Sequence, residues 1–223
     1  MHQEDQSYST SVLAQLRAVI PVHAQVSFAD ALRVAELQAN KLIELHGIVT
    51  GPVPTELISE LPKLTVGYTG RLVSGATFWD KHHQVWVIQL SRTDSQARRR
   101  FTLAHEFKHI IDHGRQTILY RGTRRITAVA QAEQAADYFA GCLLVPRRLL
   151  KQAWGNGIQD PSELAQLFEV SEQAIAVRLR QTGLVDGRFR HVPRPFPLAA
   201  ELEPEPDDEG EVSKPVEEEG LAA

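Results

Sequence analysis

Arg98-Arg99-Arg100-Phe101-Thr102-Leu103-Ala104-His105-Glu106-Phe107-Lys108-His109-Ile110-Ile111-Asp112-His113 is the stretch on which the reading of this chain turns. Its apolar residues Phe101, Ala104, Phe107, Ile110 and Ile111 recur at helical spacing, so one face is expected to pack and to hold the helix still. Thr93 or Asp94 is expected to cap this helix, which should run to about His113 and end at Gly114. His105 and His109 stand four residues apart, one turn above each other, with Cβ atoms about 5–6 Å apart. Two imidazoles at that separation can converge on one zinc ion at about 2.0–2.1 Å each. Glu106 is rotated by about 100° from His105, beside a bound metal rather than on it. That is where a base acting on water at the metal is needed. The same five residues would equally suit a surface helix with two solvated histidines, so a third ligand has to decide.

A catalytic zinc site takes three protein ligands and keeps one position open. A second helix is expected over residues 130–144, stopping before Pro146. It carries Glu133, 24 residues after His109, and Asp137 one turn further on the same face. One carboxylate can bind the metal while the other accepts a hydrogen bond from the far nitrogen of a ligand histidine, fixing its tautomer. Ala135, Ala136 and Ala140 are small enough for the two helices to approach closely. The candidate set is therefore His105, His109 and Glu133 for Zn2+, Glu106 as catalytic base, and Asp137 behind the ligands.

Other polar residues nearby fit this scheme less well. His113 cannot easily join His105 and His109 on one ion, because the outer two lie about 12 Å apart along the axis; it reads as a residue behind the ligands, or simply as a helix-terminal cation. Asp112 reads as solvated, and His82 and His83 as hairpin-turn residues. Cys142, the lone cysteine, sits among apolar residues and reads as a small buried hydrophobe. Tyr120 or a neighbouring arginine is a candidate for stabilising an oxyanion, without a signal to choose between them.

Working outward, residues 64–69, 75–79 and 84–90 are rich in β-branched and aromatic side chains separated by turn residues. They predict a small antiparallel sheet of about three strands. Upstream, a short helix over residues 11–20 ends at Pro21, Ser27 caps a longer one ending near His46 with Gly47 left-handed, and residues 55–61 form a third. Downstream, residues 162–168 and 171–181 have the spacing of a helix-turn-helix. Leu164, Ala165, Phe168, Val170, Ala174, Val177 and Leu179 form its seam. Such a pair could offer Gln173 and Arg178 to a DNA groove, or simply complete the fold; a packing or substrate-docking role is favoured. The fold class is α+β, mainly helical.

Hydrophobic residues make up 43% of the 223 and charged residues 23%, enough to build a core without staples. The single cysteine excludes an internal disulfide framework and suits a reducing, cytoplasmic setting. Neither a signal peptide nor a membrane span is expected. Residues 201–223 hold ten acidic side chains and one lysine, a balance of −9, against +5 for residues 1–200. A +5 body is too weakly basic to argue for nucleic acid.

The strings RRRFTLAHEFKHIIDH and EQAADYFAGCLLVP, together with VSGATFWDKHHQVWVIQLS upstream, resemble the ImmA/IrrE family of bacterial zinc metallo-endopeptidases over about residues 53–184. The resemblance implies His105, His109 and Glu133 as ligands and Glu106 as base. It departs at Ala135, where many relatives carry a second glutamate. It also implies a protein substrate, commonly a helix-turn-helix repressor, whose cleavage relieves repression of a mobile element or a stress response. The organisation expected is a partly flexible N-terminal segment (1–26), a zinc metallopeptidase domain (27–150) and a helix-turn-helix-like pair packed on it (151–190). A proline-rich, acidic, disordered tail (191–223) follows. Two other functions remain open. One is a DNA-binding regulator with a structural or vestigial metal site; the other is a metal hydrolase acting on non-peptide substrates.

Overall fold

The computed structural model describes residues 11–22, 25–70 and 75–185. The acidic tail and residues 1–10 of the N-terminal segment lie outside them. The elements are α1 (Val12–Arg17), α2 (Phe28–Leu45), α3 (Glu56–Ser59), β1 (Leu64–Thr69), β2 (Gly75–Asp80), β3 (Val85–Ser91) and α4 (Gln96–Asp112). There follow α5 (Gln116–Leu119), α6 (Ala128–Leu144), α7 (Arg147–Gly155), α8 (Pro161–Phe168) and α9 (Glu172–Thr182). The α+β class holds, with helices dominating and one small sheet against α4.

Local chemistry sets the ends of the long helices. Ser27 and Thr127 each accept a hydrogen bond from the backbone N–H three residues on, starting α2 and α6. For α4 the cap is Ser95, one residue after the expected Asp94, and its hydroxyl accepts from Arg98 N–H. At the far end Gly114 takes φ +77°, the left-handed conformation that lets the chain leave the helix. Arg17, reaching across from α1, donates to the Ile110 and Ile111 carbonyls at 2.7 and 3.1 Å. A cation there satisfies carbonyls that the helix end leaves bare.

The sheet differs from the expected antiparallel one. Its order is β1-β3-β2; β2 pairs antiparallel with β3, but β1 runs parallel to it. The reason lies in the connections. The tight turn after Asp80 forces β2 and β3 to oppose each other, and apolar β3 takes the central place, where both edges are paired. β1, entering in the direction of β3, is left with its other edge. Ile88 at the centre is fully buried, opposite Val66 on one side and Thr77 on the other.

The core is organised around α4 and α6. Leu103, Ala104, Phe107 and Ile111 of α4 meet Phe139, Ala140 and Leu143 of α6, with Ile88 and Leu90 below and Ala35, Ala39 and Leu42 of α2 alongside. A second cluster joins Leu149 and Leu150 of α7 to Leu164, Phe168, Ile175 and Leu179 of the last two helices. Helices α5 and α7 are additions to the sequence reading. α7 runs across residue 150 and ties the helix pair to the end of α6.

Arg178, offered above as a groove-reading residue, is 2% exposed. Its stem lies over Gly141, where an added Cβ would stand 3.1 Å from Arg178 Cδ. Its Nε donates to the Val145 carbonyl at 3.2 Å and its Nη1 to Gln181 Oε1 at 2.8 Å. The side chain is therefore a packing strut between α9 and the end of α6, as the favoured reading of the pair required. Arg178→Ala should lower unfolding stability by about 2 kcal/mol in urea denaturation, through lost stem packing and an unpaired carbonyl. A DNA-facing arginine would change stability by less than about 0.5 kcal/mol.

Candidate metal centre

Helices α4 and α6 pack against each other with Ala104, Ala136 and Ala140 buried to 1% exposure or less, while Ala135 joins Ala31 and Val34 of α2 instead. Small side chains at a crossing let helix axes come close, and the longer residues flanking that contact then meet above it. His105, His109 and Glu133 do so, each half-buried with one donor atom turned to a common point. His105 Nε2 lies 3.2 Å from His109 Nε2 and 3.2 Å from Glu133 Oε2, and His109 Nε2 lies 3.4 Å from Glu133 Oε1. These spacings can be tested against a metal. Ligands about 2.0–2.1 Å from a tetrahedral zinc ion stand about 3.3–3.4 Å from one another. The donor set fits, and its half-exposure leaves one side open to solvent.

Asp137 Oδ1 stands 2.8 Å from His105 Nδ1. With Nδ1–H donating to that carboxylate, the Nε2 lone pair is the one left to face the other donors. The same carboxylates also favour positive charge at this point. Burial opposes a charge on His105, but hydrogen bonds with Asp137 and Glu133 and the charge of Glu106 outweigh it and push the ring up to about 10. Glu133 is held below the usual carboxylate range, chiefly by its hydrogen bond with His105 and against its own burial. His109 is pushed down by burial and by the charge of His105. Surroundings that hold a positive charge at this point suit a cation.

Glu106 reaches toward the sheet, where its Oε2 accepts a hydrogen bond from Thr77 Oγ1 at 2.7 Å. The sequence reading missed Thr77; strand alternation places it on the helix-facing side but does not say what it meets. His113 caps the end of α4 and packs its ring on Trp86, with centroids 4.9 Å apart, as expected of a terminal residue rather than a ligand. His83 bonds Asp80 within the hairpin turn. Cys142 is buried, and burial raises its thiol to about 11, so no nucleophile is offered there.

Asp112 is not solvated. It is 2% exposed and accepts hydrogen bonds from Lys108 Nζ and the Tyr120 hydroxyl, both at 2.5 Å. Lys108 is itself fully buried, its ammonium disfavoured by burial and sustained by Asp112. Tyr120 is pushed well above the usual phenol range, by burial first and then by Asp112, so its proton is committed to that carboxylate. This leaves Tyr120 a poor candidate for an oxyanion donor. The spacing carried a usable signal, since Lys108 and Asp112 lie four and eight residues after buried Ala104, on the packed side of α4.

The comparisons agree with this architecture. Residues 70–180 match the IrrE N-terminal-like domain of a peptidase family. The chain belongs to that family. The matched span runs from the start of the β2–β3 hairpin through most of α9, so the helix pair lies within the family domain. No curated protein matches the chain significantly. A solved structure of a Mycobacterium tuberculosis transcriptional regulator superimposes with a TM-score of 0.54 at 17% identity, over 76% of this chain and 52% of that one. The chain thus spans about half the length of that structure, and the likeness is one of fold. Among the described residues, no helix is long and apolar enough to cross a membrane.

Removing one member of the buried pair is expected to be costly. Lys108→Ala should destabilise the protein by about 3–5 kcal/mol in chemical denaturation, because Asp112 is left buried without its cation. The double variant Lys108→Met with Asp112→Leu should recover part of that loss. Equal destabilisation by the single and double variants would contradict the pairing.

Proposed function

We propose that this member of a metallopeptidase family is a zinc-dependent endopeptidase, with His105, His109 and Glu133 as metal ligands, Asp137 orienting His105, and Glu106 as general base. The observation that carries this reading is the approach of three residues, with both imidazole Nε2 atoms 3.2 Å apart and each 3.2–3.4 Å from one of the two Glu133 oxygens, open on one side, with a carboxylate next in sequence to the first histidine. Zinc bound there would supply Lewis acidity, polarising a carbonyl and making water a usable nucleophile near pH 7. The chain's own residues do the rest. Asp137 keeps the His105 proton on Nδ1. Glu106 takes a proton from the attacking water and passes it to the leaving amine as the peptide bond breaks.

The substrate is proposed to lie along β2, an edge of the sheet among the described residues, where main-chain hydrogen bonds set its register. Exposed Phe78 and Trp79 flank that path. The substrate class proposed is a protein, in particular a helix-turn-helix repressor whose cleavage relieves repression, in the cytoplasm. A DNA-binding role with a vestigial metal site is less well supported, since Arg178 is committed to packing and Glu106 has no purpose in a structural site.

The experiment compares wild type, Glu106→Gln and Glu133→Ala, purified and loaded with zinc, against the repressor encoded beside the gene. Glu106→Gln should keep one zinc per chain and lose cleavage by about 10²–10⁴-fold. Glu133→Ala should lose zinc and cleavage together. Wild-type cleavage by Glu106→Gln would sink the mechanism, and failure of the zinc-loaded wild type to cut would sink the substrate assignment.

A further inference from the structure

We infer that Thr77 is a positioning residue for Glu106, holding the carboxylate from the strand along which substrate is proposed to lie. The inference rests on the reading of Glu106 as general base and extends it to the strand opposite.

Three observations support it. Thr77 Oγ1 donates to Glu106 Oε2 at 2.7 Å, and a hydrogen bond to an ionised acceptor is among the stronger kinds. Thr77 stands on the helix-facing side of the sheet, opposite fully buried Ile88 and on the same face as Val66, Trp86 and Leu90. Valine would fill that place equally well for packing, so the hydroxyl has a partner rather than a volume to account for it. Gly75, two residues earlier on the same face, lies directly over the same carboxylate. A Cβ at residue 75 would come within 2.3 Å of Thr102 Cγ2 and 2.9 Å of Glu106 Oε1. The missing side chain lets β2 settle close enough to α4 for Thr77 to reach across.

A glutamate on a helix surface is free to sample several rotamers, and ordering it costs side-chain entropy. A base has to be aimed at the proton it takes, within hydrogen-bond reach. Thr77 fixes one carboxylate oxygen, and Gly75 leaves room for the other. The backbone that would register an extended peptide and the hydroxyl that aims the base thus belong to one short strand.

The test uses Thr77→Val and Thr77→Ser in the full chain, with two independent readouts. With the repressor encoded beside the gene as substrate, Thr77→Val should keep its zinc and its KM while kcat falls about 10–100-fold, as expected for a misaimed group. Thr77→Ser, which keeps the hydroxyl, should restore most of that loss. Apart from activity, Thr77→Val should shift the urea midpoint of the wild type more than that of Glu106→Ala, where the carboxylate is gone and only the longer contact to the residue 106 carbonyl, at 3.5 Å, is left. Unchanged kcat in Thr77→Val, equal impairment by valine and serine, or the same midpoint shift in both backgrounds would overturn the inference. If the wild type cuts no repressor, the functional reading fails, while the denaturation arm still decides whether Thr77 holds Glu106.

Discussion

Two helices have to cross closely enough for side chains from both to share one point in space, and most of this structure follows from that requirement. Ala140 of α6 and Ala104 of α4 share one buried cluster, and Ala136 beside them is fully buried. Helices packed through larger residues stand about 8–10 Å apart, depending on the side chains between them. Alanine keeps the approach at the short end, so a histidine and a glutamate, neither of them long, can meet above the crossing. The neighbouring elements hold this geometry. Arg17 ties down the end of α4, α2 backs α6, and the sheet presses on the opposite side of α4.

The polar groups near the crossing divide into two sets with different surroundings. On the open side, His105, His109, Glu133 and Asp137 lie half-exposed, and their charges favour a cation. On the packed side, Lys108, Asp112 and Tyr120 are buried and bonded to one another. A buried ion pair of this kind adds little net stability compared with apolar residues of the same size, but it penalises any register in which its members are separated. One helix therefore carries ligands toward its open side and, on the adjoining buried side, a fixed polar lock.

Much of the fold could be read from the residues. Caps at Ser27 and near Asp94, the left-handed glycines 47 and 114, and the stop at Pro146 locate the long helices because each is governed by its own local chemistry. The candidate ligands were legible for the same reason: the i, i+4 spacing is a property of one helix. The parallel pairing of β1 was not, because it depends on which strand wins the central place. The fate of Asp112 was misread from its charge, although its spacing from Ala104 pointed inward. In α9 the proposed seam left out Ile175 and exposed Arg178, yet both are buried. An arginine looks like surface until the carbonyl it serves, at Val145, is known. Thr77 lay beyond reach altogether, since its role depends on a contact 29 residues away.

The central claim is that α4 and α6 together supply three light-atom ligands to one zinc ion and leave a position for solvent. X-ray absorption at the zinc edge of the metal-loaded protein measures this directly. The account predicts four nitrogen or oxygen neighbours at about 2.0–2.1 Å, with the outer-shell scattering of two imidazoles. Sulfur in the inner shell, or scattering from fewer than two imidazoles, would contradict it.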